Sequence, residues 1–130
     1  MLNKITPNEI YEGLPCSVVA VGTALGITDK KELNIIMSDA NYRNDGYMTL
    51  NDMNRFIRSK LRIQKREYFK KNERNVLFGF LHGDTFEGNQ RKAIICVLGH
   101  YIYVDKLDYY SFFNNEYDKV VCVWWIKENH

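Results

Sequence analysis

The longest apolar stretch in the chain's first half is Leu14-Pro15-Cys16-Ser17-Val18-Val19-Ala20-Val21-Gly22-Thr23-Ala24-Leu25, entered from Gly13 and left by Gly26. Pro is favoured at the first helical position and Gly just past the last. The punctuation therefore predicts a buried helix with Cys16 in its first turn. The β-branched Val18, Val19 and Val21 would also suit a buried strand, and so short a run does not exclude one. Further on, Leu33, Ile36 and Met37 fall at i, i+3 and i+4. They predict a one-stripe helix from Lys30 to about Asp39, capped by Thr28 or Asp29. Thr49-Leu50-Asn51-Asp52 reads as a capping box with Asp in place of Glu. It opens a third helix to about Leu61, with Leu50, Met53, Ile57 and Leu61 inward and Arg55 and Arg58 outward.

The remaining pattern is mixed, then clearly β. Ile5 to Tyr11 is a lead-in whose Thr6-Pro7-Asn8-Glu9 can start a helical turn. Leu61 to Phe69 alternates loosely, as an edge strand or extended arm would. Asn72 to Leu81 predicts a short fourth helix, with Val76, Leu77, Phe80 and Leu81 inward. Asn41–Gly46 and Gly83–Gln90 are polar, glycine-containing loops. Then Lys92–Leu98, His100–Asp105, Tyr109–Phe113 and Lys119–Ile126 form four β-rich runs with short separations, which make antiparallel neighbours. Helices first and strands last predict an α+β fold, with N-terminal helices packed on a C-terminal antiparallel sheet of about four strands.

Composition narrows the class. The 130 residues make one domain, 1–130, and 45% hydrophobic content with 14% aromatic is that of a globular protein. No 18-residue apolar segment suggests a membrane span, and the first residues lack the apolar core of a secretory signal. A net charge of +2 does not by itself argue for nucleic acid. Cys16, Cys96 and Cys122 form no Cys-x-x-Cys pair, and no His-x-x-x-His pair accompanies them, so neither a metal nor another cofactor is expected. Cys96 and Cys122 lie in apolar runs and read as core. An odd number of widely spaced thiols points to a reducing, cytoplasmic setting.

Cys16 is different because a helix N-terminus favours the thiolate. A nucleophile needs a base, and the chain has three histidines. His130 is the last residue, and His82 reads as an exposed loop histidine. His100 opens a strand just after Gly99, held rigidly yet reachable from solvent, as a proton acceptor must be.

On these residues the chain resembles papain-like cysteine peptidases, and in particular the small papain-like proteins of phage and bacterial genomes. That family sets a Cys at the start of a buried helix early in the chain and a Gly-His at the start of a strand late in it. Here Pro15-Cys16 and Gly99-His100 match. The strand arrangement from Ala93 to Asp105, the Tyr110-Ser111-Phe112-Phe113-Asn114 segment and the last strand to Trp125 extend the likeness. The resemblance implies a Cys16–His100 pair acting on a protein or peptide substrate. It places Ser111 where the family has its imidazole-orienting Asp or Asn, with Asn114 three residues on as the substitute. Phe113 stands for the family's Trp. Ile10 occupies the family's oxyanion-hole Gln position, leaving the Cys16 N–H and the nearby amide of Asn8 as candidate donors.

The implied function is that of a cysteine peptidase or related thiol hydrolase. The alternatives are a catalytically degenerate papain-like binding protein and a basic-patch module. For the latter, Arg55 to Arg74 holds nine basic residues against two acids, with Tyr68 and Phe69 interleaved. Such a strip, with Lys65 and Arg66 central, could hold single-stranded nucleic acid or an acidic protein, although a solvated face is the commoner meaning.

Overall fold

The structure, a computed structural model, describes residues 2–40, 48–82 and 91–127. In chain order these hold β1 (Asn3–Ile5), α1 (Cys16–Ala24), α2 (Lys30–Asp39), α3 (Leu50–Lys60), β2 (Ile63–Tyr68), α4 (Leu77–His82), β3 (Lys92–Val97), β4 (His100–Asp105), β5 (Asp108–Tyr110) and β6 (Val120–Ile126). Single turns of 3-10 helix add Glu9–Tyr11 and Lys71–Glu73. The loops expected at Asn41–Gly46 and Gly83–Gln90 lie outside the described residues. Among the described residues no helix is long and apolar enough to cross a membrane.

The fold is α+β, but the sheet is larger than the pattern predicts. Six strands run in the order β1-β5-β4-β3-β6-β2. The sheet is mixed, because β1 is parallel to β5 while the other neighbours are antiparallel. Two edge strands therefore correct the expected four-stranded antiparallel sheet. One is β2, the edge-strand form of Leu61–Phe69. The other, β1, leaves no trace in the hydrophobic pattern, since Asn3 and Lys4 are both exposed. It is held instead by distant partners, with Asn3 Nδ2 donating to Asp108 Oδ1 at 3.0 Å.

Strand alternation divides the core in two. Ala93, Ile95, Val97, Ile102, Val104, Val123 and Trp125 meet Leu77, Phe80 and Leu81 of α4 on one face. Ile94, Cys96, Tyr101, Tyr103, Cys122 and Trp124 meet α1 and α3 on the other. Helix α1 is apolar nearly all round because it is covered on two sides. Ala20 and Val21 face the sheet, whereas Val18 and Val19 pack with Leu33 and Ile36 of α2. Helix α3 begins as its capping residues require, the Thr49 hydroxyl accepting from the Asp52 N–H at 3.2 Å. The fourth helix is shorter than expected. A 3-10 turn and a short bridge between Val76 and Lys119 occupy its predicted first half.

Candidate active site

Helix α1 and strand β4 together build the site. Pro15 is the N-cap of α1 and Cys16 its first residue, packed directly over the sheet face that carries Tyr101. His100 is the first residue of β4, following the Leu98-Gly99 turn. Gly99 has φ +76°, a left-handed conformation that a side chain would strain, so the turn that delivers His100 depends on glycine there. Cys16 and His100 both line a cleft of about 370 Å³, whose walls include Tyr101, Tyr110, Phe112 and Phe113. The two residues singled out by sequence are thus brought to one cavity.

They are not joined. Among the described residues no hydrogen bond links the Cys16 sulfur to the His100 ring. The imidazole instead meets Phe113 edge-on, with ring centroids 5.4 Å apart.

Electrostatics also differ from expectation. Burial pushes the Cys16 thiol up from its ordinary 9.0, and the backbone N–H groups of Tyr101, Cys16 and Ser17 offset this only in part. The predicted excess of thiolate at the helix N-terminus is therefore corrected: desolvation outweighs the N–H donors. Burial likewise lowers His100 from its ordinary 6.5, and the Asp118 carboxylate pulls it partly back. The resting pair at neutral pH is a thiol and a neutral imidazole. Cys96 and Cys122 are buried on β3 and β6, and burial pushes their thiols up to about 12 and about 11.

Neither expected orienting side chain bonds His100. Asn114 is exposed, and its Oδ1 accepts from the Tyr109 hydroxyl at 3.1 Å, with no hydrogen bond to His100. Ser111 lines the cleft but is committed locally: its hydroxyl donates to Asn115 Oδ1 at 2.6 Å and accepts from the Phe113 N–H at 3.0 Å. These local bonds curl the chain out of the ladder, which is why β5 stops at Tyr110 and not at Phe113. The side chain missed by sequence is Asn115. It is buried, and its Nδ2 donates to Asp118 Oδ2 at 2.8 Å. Ser111, Asn115 and Asp118 thereby tie down the loop that presses Phe113 on His100 and carries its acidic neighbour.

The remaining expected site residues lie apart. Asn8 caps the Glu9–Tyr11 turn, accepting from the Ile10 N–H at 3.1 Å, and does not line the cleft. The Tyr101 N–H, which no sequence motif marks, reaches the Cys16 sulfur instead. Lys65 and Arg66 sit exposed on β2, Lys65 paired with Glu67 at 3.1 Å. His82 ends α4 with Nδ1 2.8 Å from the Phe78 carbonyl. Among the described residues no group of His, Cys, Asp and Glu is placed to hold a metal ion.

No family model, curated protein or solved structure matches the chain. Its function has to be argued from the cleft itself.

Proposed function

We propose that the chain is a papain-like thiol hydrolase, a cysteine peptidase or close chemical relative, with Cys16 as nucleophile. One observation carries the reading: a helix-start cysteine and a strand-start histidine, far apart in sequence, line one 370 Å³ cleft. The aromatic walls suit an extended peptide with apolar side chains, entering along the β4–β5 end of the sheet.

The reaction starts from neutral groups. His100 accepts the Cys16 thiol proton as the sulfur attacks a carbonyl carbon, and the N–H groups of Cys16 and Tyr101 are the available donors for the oxygen that becomes negative. His100 then gives its proton to the leaving amine, and the C–N bond breaks. Water, losing a proton to His100, hydrolyses the thioester and restores the thiol. The imidazole has to turn toward the sulfur when substrate binds. Such hydrogen bonds are often absent in unliganded enzymes and form in the complex.

The missing Cys16–His100 bond favours a second reading, a papain-like cleft that binds peptides without cutting them. A fluorogenic peptide library separates the two. Wild type should release fluorophore, and Cys16→Ala should lose at least about 10³ of that rate. Binding of library peptides with equal affinity by both proteins, and no turnover by either, would select the binding reading.

A further inference from the structure

At the opposite end of α1 a second cavity, of about 390 Å³, has Lys60, Arg62, Lys92 and Lys127 at its rim and the apolar Leu25 and Ile126 among its other walls. The cations come from the end of α3, the link between α3 and β2, the first residue of β3 and the residue after β6. No residue lining the cavity is acidic. Lys60 is neutralised by Asp39. Arg62, Lys92 and Lys127 make no ion pair among the described residues. Lys92 stands opposite Asp105 in the β3–β4 ladder, yet no ion pair joins them, and Asp105 Oδ1 is buried without a hydrogen-bond partner.

This convergence is not the linear strip of the sequence. In that strip Arg55 pairs with Asp52, Lys65 pairs with Glu67, and Arg74 is held by the Phe69 carbonyl and the Tyr68 hydroxyl. Folding disperses those charges while collecting Arg62 with two lysines from the far end of the chain. Like charges drawn to one cavity repel, and the arrangement is relieved when an anion enters. Arg and Lys donors suit phosphate oxygens, and apolar walls suit the uncharged part of the same ligand.

We propose that this basin binds a phosphate group of a nucleotide ligand, Arg62, Lys92 and Lys127 holding its oxygens. The phosphate belongs either to a free nucleotide or to a single strand. The site is separate from Cys16 and stands or falls independently of the hydrolase reading.

The test measures binding of ATP and of a fluorescent oligothymidylate to the full chain at several salt concentrations. The proposal expects binding at low salt. For the strand, three phosphate contacts give a log–log salt slope of about −2, which should vanish in Arg62→Ala/Lys92→Ala/Lys127→Ala with a loss of roughly tenfold or more in affinity. All three side chains are exposed, so the triple variant should keep its fold, checked by circular dichroism. ATP that binds and displaces the strand assigns the site to a free nucleotide; strand binding that ATP does not displace assigns it to a strand phosphate. No binding of either probe overturns the proposal. So does binding that survives the triple variant but is lost in Lys65→Ala/Arg66→Ala.

Discussion

Replacing His100 by alanine should cut Cys16-dependent hydrolysis at neutral pH by about 10²–10⁴ and push what remains into the alkaline range. The direction follows from the two resting protonation states. Burial holds the Cys16 proton on at pH 7, since the thiol lies above its ordinary 9.0. Burial keeps His100 unprotonated at the same pH, since it lies below its ordinary 6.5. In wild type the acid limb of kcat/KM then follows imidazole protonation and falls below 6.5, with a plateau through neutrality. Without the imidazole only thiolate formed by solvent can attack. Its fraction keeps rising toward a pKa above 9.0, so the plateau should become a slope. A kcat/KM profile of unchanged shape in His100→Ala would remove His100 from the mechanism.

The largest stability effect should come from Gly22→Ala. A Cβ built at Gly22 lies 2.6 Å from Tyr11 Cε1 and 2.7 Å from its hydroxyl oxygen, far inside contact distance. Tyr11 has little freedom to retreat. It is buried among Val18, Val19, Leu33 and Ile36, and its hydroxyl donates to the Ile27 carbonyl at 2.6 Å. Overpacking of this kind costs about 1–3 kcal/mol, and losing the Tyr11 bond adds about 1–3 more. For a domain of this size the melting temperature should fall by roughly 10 °C. Tyr11→Phe combined with Gly22→Ala should recover little, because the ring edge still collides. A melting temperature within a degree or two of wild type would show that the Tyr11 ring moves aside freely.

Much of the local structure was legible because it is written in local chemistry. Leu33 and Ile36 mark the buried stripe of α2, which spans Lys30–Asp39 as predicted. Thr49 caps α3, and Pro15 and Gly26 bracket α1. Sequence also brought Cys16 and His100 to one cleft, because each sits at the end of an element whose packing follows from its apolar pattern.

What escaped is decided by register and by distant partners. The pattern marks β4 but not the neighbour its first side chain meets, which is Phe113 from beyond β5. Asn114 and Asn115 are the same residue type side by side. Only the backbone of the turn determines that Asn115 is buried against Ser111 and Asp118 while Asn114 bonds Tyr109. The thiol's raised proton affinity was hidden for a similar reason. The α1 N-terminus is visible in sequence, but the sheet that buries it is not. Nor does the charge strip show that Asp39 and Asp52, outside it, pair with Lys60 and Arg55.

Covalent trapping tests the central claim, that Cys16 is a nucleophile activated by His100 within the cleft. A peptidyl vinyl sulfone is incubated with wild type and with His100→Ala at neutral pH, and the adduct is located by mass spectrometry of the intact and digested protein. The account predicts a single adduct on Cys16, formed at least about 10²-fold more slowly without the imidazole. Cys96 and Cys122, buried on their strands, should remain unmodified. Adducts spread over all three cysteines, or a Cys16 that reacts equally fast in His100→Ala, would contradict it.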